Sequence, residues 1–123
     1  MSPLTHAMLD GADYNLNKSK RQANFMYGHS LLKDINCINP LLYFDDTTVP
    51  MVYPLVVECN ELLPALLDAK HFQGHWWKYI TEELPDNTFE HWLSLNVIPI
   101  TIDQRYGKQE IDYVYSVIAK TLK

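Results

Sequence analysis

The side chains best suited to chemistry lie in two short runs. One is His71-Phe72-Gln73-Gly74-His75-Trp76-Trp77-Lys78-Tyr79, the other Asp103-Gln104-Arg105-Tyr106. His71 and His75 are four positions apart, a spacing at which two imidazoles on one helix share a metal ion. Gly74 lies between them, and no glutamate follows in the zinc-protease arrangement, so no metal site is expected. Two adjacent tryptophans diverge on any regular element, so Trp76 and Trp77 cannot both point inward. One indole then lies on a surface that a ligand, domain or partner covers, or both are wrapped by flanking helices. Asp103, Arg105 and Tyr106 follow a strand end, where turn chemistry accounts for their types. Asp103 would accept backbone N–H groups, Arg105 would pair with a carboxylate, and Tyr106 would pack with its hydroxyl bonded.

Other chemistries find no support. Cys37 and Cys59 have neither zinc nor redox spacing and no nucleophile elbow, so both are expected as reduced, at least half-buried packing. Gly11, Gly28, Gly74 and Gly107 are scattered and match no dinucleotide or phosphate loop. The residues assemble no complete catalytic set and no cofactor site.

Composition sets the frame. With 123 residues, 47% of them hydrophobic, and eight tyrosines, the chain suits one packed domain over residues 1–123. A formal net charge of −5 argues against a nucleic-acid or anionic-membrane surface. Lys18, Lys20 and Arg21 read as the wet face of a helix. Met1 to His6 shows neither an export signal nor a membrane span, and the expected location is cytoplasmic.

The elements that must position these runs follow from pattern. Val97, Ile98, Ile100 and Ile102 form a β-branched run that reads as a buried, mid-sheet strand. Ser2-Pro3 starts a short helix that Gly11 interrupts. A longer helix is expected from Asp13 to Lys33, with Phe25, His29 and Leu32 facing inward. Leu41 to Phe44 reads as a brief edge strand, and Met51 to Val57 as a strand that Pro54 keeps from full laddering. Asn60 would cap a helix over 61–70 with Leu62, Leu63, Leu66 and Leu67 inward, and Pro64 is tolerated in its first turn. Asn87 would cap a short helix through His91, Trp92 and Leu95. Ile111, Val114, Tyr115, Ile118 and Leu122 mark the closing helix.

The order of motifs resembles a known family. Ser2-Pro3-Leu4, Lys20-Arg21-Gln22-Ala23-Asn24-Phe25, Val49-Pro50, Tyr53-Pro54-Leu55, His75-Trp76 and Ile98-Pro99-Ile100-Thr101-Ile102-Asp103-Gln104-Arg105-Tyr106 occur in series across nearly the whole chain. The series is similar to the C-terminal small domain of the pyridoxal-phosphate-dependent nucleotide-sugar aminotransferases, the DegT/StrS group. The resemblance implies an α/β (α+β) fold with helices on one face of a small, mostly antiparallel sheet, closing over a larger cofactor domain. It implies amino transfer to a nucleotide-linked keto-sugar, with pyridoxal phosphate and its lysine in that large domain, which would be this chain's partner. No residue here matches the Schiff-base lysine: Lys20, after Ser19, lacks its aromatic and glycine-rich setting. His75 and Trp76 would lie near the mouth of the sugar-nucleotide site. Relatives usually carry proline after that tryptophan, where this chain has Trp77. The rival expectation is a free-standing module that holds a nucleotide-sugar or a protein through Trp76 and Trp77. Self-association is expected if a partner-facing apolar surface is left bare.

Overall fold

Two strands of opposite direction carry the centre of the core. In the computed structural model, which describes residues 1–72 and 74–123, β1 (Val52–Val56) pairs antiparallel with β2 (Val97–Thr101). Tyr53 and Leu55 stand opposite Ile100 and Ile98, so all four side chains share one face, and all four are buried. The fold is α+β.

The helices are α1 (Pro3–Asp10), α2 (Tyr14–Leu32), α3 (Leu62–Asp68), α4 (Ile80–Glu83), α5 (Phe89–Asn96) and α6 (Lys108–Thr121), of which α2, α3 and α6 supply the core residues packed with the strands. Phe25 and Leu32 of α2, Leu62 and Leu66 of α3, and Val114 and Ile118 of α6 join the strand residues in one cluster. These positions repeat at helical spacing, so each helix buries one stripe. The opposite face of the sheet is also dry at Val56, Val97 and Pro99.

The helix starts follow local chemistry. Ser2 Oγ accepts the Thr5 N–H and Asp13 Oδ1 the Leu16 N–H, satisfying amides that a helix leaves orphaned. Glu110 Oε2 reaches back to the Gly107 N–H at 2.8 Å and closes the start of α6. Two expected caps are displaced. Thr88, not Asn87, accepts the His91 N–H. At α3 the cap position is Glu61 rather than Asn60, and no side-chain bond is made there. Pro64 falls in the first turn of α3, where its missing N–H removes no intrahelical bond.

Two strand expectations are corrected. Leu41 to Phe44 is no edge strand: Pro40–Tyr43 is a 3-10 turn, η1, capped by Asn39. With three residues per turn, Leu41 and Phe44 fall on one side, and Phe44 stacks on Phe25 at 4.6 Å between ring centres. Nor is the Val97 run mid-sheet, because among the described residues the sheet is two-stranded. Strand β1 ends the sheet with its outer groups used. Val57 N–H bonds Asn96 O, so the ladder bonds fall on Leu55–Ile98 and Tyr53–Ile100, while Val56, Pro54 and Val52 turn their groups outward. There Asn36 Nδ2 donates to Pro54 O, Asn36 Oδ1 accepts the Val56 N–H, and the Cys37 N–H bonds Val56 O.

Helix α1 packs no side chain into the core. None of its residues is buried, and Leu4 and Met8 are 71% and 70% exposed. Among the described residues no helix is long and apolar enough to cross a membrane.

Candidate functional site

The first region lies where β2 leaves the sheet. Arg21, on the inward side of α2, sends Nε to Gln104 Oε1 at 2.7 Å and Nη2 to Asp103 Oδ2 at 3.2 Å. Its Nη1 donates to the carbonyls of Pro50 and Met51. One turn further on, buried Asn24 gives its amide to the carbonyls of Ile102, Asp103 and Tyr106, at 3.3, 3.1 and 3.1 Å. Arg21 is therefore no wet-face residue. Its fork binds two strand connections at once, a task an ammonium could not do.

Asp103 behaves as the turn chemistry foretells. Its Oδ1 accepts the Arg105 backbone N–H at 2.9 Å and Arg105 Nε at 2.8 Å. The Arg105 side chain, its N–H and the Arg21 charge hold the Asp103 carboxyl below the usual carboxylate range. Tyr106 departs from expectation: it is 43% exposed and lies beneath the Arg105 guanidinium rather than packing inward. Arg21, the Asn24 amide and Asp103 each spend their hydrogen bonds on backbone carbonyls, N–H groups or neighbouring side chains, so these bonds hold the chain segments in place.

The second region is the corner from His75 to Trp77. Buried Ser94, on α5, anchors all of it. Its hydroxyl donates to Trp77 O at 2.8 Å and lies 3.3 Å from Trp76 O. Its carbonyl accepts His75 Nε2 at 2.5 Å. Trp77 takes a left-handed backbone, φ 55°, and as a residue is 44% exposed. Trp76 is half-buried and meets it at a steep angle, 5.4 Å between centres. Of the two indoles, then, the second one faces outward. The third, Trp92, donates its ring N–H to Glu58 at 2.6 Å.

The two histidines do not converge. His75 is bound to Ser94, whereas His71 lines a separate cleft of about 450 Å³ with Lys70, Phe72, Tyr106, Glu110 and Tyr113. Burial pushes the His71 imidazole below its ordinary value. Among the described residues no three histidine, cysteine or acidic side chains gather as a metal would need. Cys37 is exposed and Cys59 half-buried, so the expectation of burial holds for the second only.

Every lysine of the chain is exposed except Lys18, which is half-buried. Lys18 stands in the second turn of α2 with no acidic pair or phosphate cradle described beside it.

Sequence reasoning missed Ser94 and Asn24. Asn24 carried a signal, since it sits three and four residues from Arg21 and Gly28 on the same helix face as Phe25. Ser94 carried none: a serine within Phe89–Asn96 looks like any helix-surface residue until the corner is folded against it.

Fold and site together define a small α+β protein with two structured polar regions and one outward tryptophan. Compared with protein-family models, with curated proteins and with solved structures, the chain matches none.

Proposed function

We propose that this chain is the small C-terminal domain of a pyridoxal-phosphate-dependent aminotransferase acting on a nucleotide-linked keto-sugar, non-catalytic by itself. The observation that carries this reading is the meeting of its two most distinctive runs. Arg21 and Asn24 of the Lys20–Phe25 run bind Ile102, Asp103, Gln104 and Tyr106 of the Ile98–Tyr106 run. Residues some eighty positions apart thus serve one scaffold, and their polar groups are spent on holding it. The bare apolar side of α1 supports a large partner domain, because an amphipathic helix gains stability only by burying that side.

A second reading is favoured by the exposed Trp77. A free-standing module derived from such a domain would hold a nucleotide-sugar or a protein partner at that corner.

Two experiments test the leading reading. Mixed with pyridoxal phosphate, the chain should show no internal-aldimine absorbance, and borohydride should trap no adduct at a defined lysine. A stoichiometric adduct at one lysine overturns the reading. The genomic frame directly upstream of Met1 should encode a cofactor-binding domain. A frame coding for something unrelated points to the free-standing module.

A further inference from the structure

A cleft of about 610 Å³ opens between η1, the chain entering β1, and α5. Its walls are Pro40, Tyr43, Phe44, Pro50, Pro54 and Phe89. Asn39 and Thr48 stand at its edge, but their side chains are spent on turns. Asn39 accepts the Leu41 N–H, and the Thr48 hydroxyl accepts the Asp45 N–H. Proline has no N–H to give, so a lining with three prolines offers little to a polar ligand.

The aromatic wall is held in place. Phe44 lies flat against buried Phe25, with 4.6 Å between centres and 9° between planes. Its ring is fixed before any partner arrives, which lowers the ordering cost of binding. Tyr43, beside it in the chain, is 90% exposed, and Leu42 and Phe89 are exposed as well. An apolar cleft rimmed by uncovered aromatic and aliphatic side chains marks a place of association.

The charge beside the cleft decides the kind of partner. Phe44 is also a wall of a second cleft, which it shares with Gln22, Met26, Asp45 and Asp46. Asp45 Oδ1 accepts the hydroxyl and N–H of Thr47 and those of Thr48, and these bonds hold its carboxyl below the ordinary range. Asp46 is exposed next to it, and among the described residues neither carboxylate forms an ion pair. A second copy of this chain would bring a net charge of −5 against charge of the same sign. Its bare α1 carries Asp10 and no lysine or arginine.

We propose that this surface binds an extended proline-rich segment of a partner protein that carries arginine or lysine at one end. The prolines lie in the cleft against Tyr43, Phe44 and Phe89. The basic side chain reaches past Phe44 to Asp45 and Asp46. A polyproline II strand has no internal hydrogen bonds and little conformational freedom to lose, so apolar walls hold it and one charged end orients it. Such binding does not depend on the aminotransferase reading.

Fluorescence anisotropy of labelled peptides gives the test. The probes are hexaproline, hexaproline with arginine at either end, and an arginine–alanine peptide of equal length. Hexaproline should bind saturably, and arginine at one end should tighten binding about fivefold. Tyr43→Ala should weaken both about tenfold. Asp46→Lys should remove the gain from arginine and leave hexaproline binding unchanged. Both replaced side chains are exposed, and urea midpoints equal to wild type check that the variants are folded. Raising salt from about 0.05 M to about 0.5 M should erase only the arginine gain. No saturation at millimolar chain, equal binding of the arginine–alanine peptide, equal affinity with and without arginine, or wild-type affinity in Tyr43→Ala each overturns the proposal. So does a dimer in sedimentation that Tyr43→Ala breaks, because a second copy then fills the cleft.

Discussion

Arg21 and Asp103, eighty-two positions apart, are joined by a guanidinium–carboxylate contact of 3.2 Å that locks the middle of α2 to the end of β2. Both side chains are mostly covered, at 21% and 17% exposure, so water screens the pair less than it would on an open surface. Arg21 also holds Gln104 and two carbonyls of the chain entering β1.

Replacing Arg21 by alanine should therefore destabilise the fold by about 1–3 kcal/mol, through loss of charge-assisted bonds and unpaired carbonyls. Arg21→Lys should recover only part of this, because one ammonium cannot reach all four acceptors. Urea unfolding of the three proteins checks both statements. Equal midpoints for wild type and Arg21→Ala would refute the clamp.

Stability should fall in acid through Asp103. Its folded carboxyl titrates lower than normal because of Arg105 and Arg21, so the folded state holds its proton less tightly than the unfolded chain does. The stabilisation is complete above the unfolded aspartate value of about 4 and is lost as pH drops from there through the folded value. Asp45, held down by Thr47 and Thr48, titrates in the same window. Urea midpoints from about pH 6 to about pH 3 should decline, and Asp103→Asn should flatten the decline.

Lys70→Gly should stabilise the protein by about 0.5–1 kcal/mol, since glycine occupies the left-handed cap after α3 without a Cβ penalty. Thermal or urea unfolding reads this directly. A destabilised variant would mean that the Lys70 side chain contributes more than its backbone costs.

Asn36→Ala should open the outer edge of β1. It removes the acceptor of the Val56 N–H and the donor to Pro54 O, and frees a bond to Tyr53 Oη. We expect a loss of about 1–3 kcal/mol and a new concentration-dependent association, because an unpaired strand edge templates another strand. Sedimentation at several concentrations measures the second effect, with wild type as reference.

The amino-acid sequence by itself determined the elements whose information is local. The stripe of Ile111, Val114 and Ile118 in α6, the Ser2 cap, and the β-branched run of β2 are written in periodicity and in short-range hydrogen bonds. The Asp103–Arg105 turn was legible for the same reason, its partners being two residues apart. Tertiary structure alone decided the rest. Whether Arg21 faces water depends on the far end of β2 arriving beside it, and Leu41 to Phe44 became a 3-10 turn because Phe25 offers a ring to stack on. Trp77, rather than Trp76, faces outward because a serine seventeen residues later binds its carbonyl. Such outcomes are set by contacts between segments distant in the chain, and no window along the sequence contains both partners.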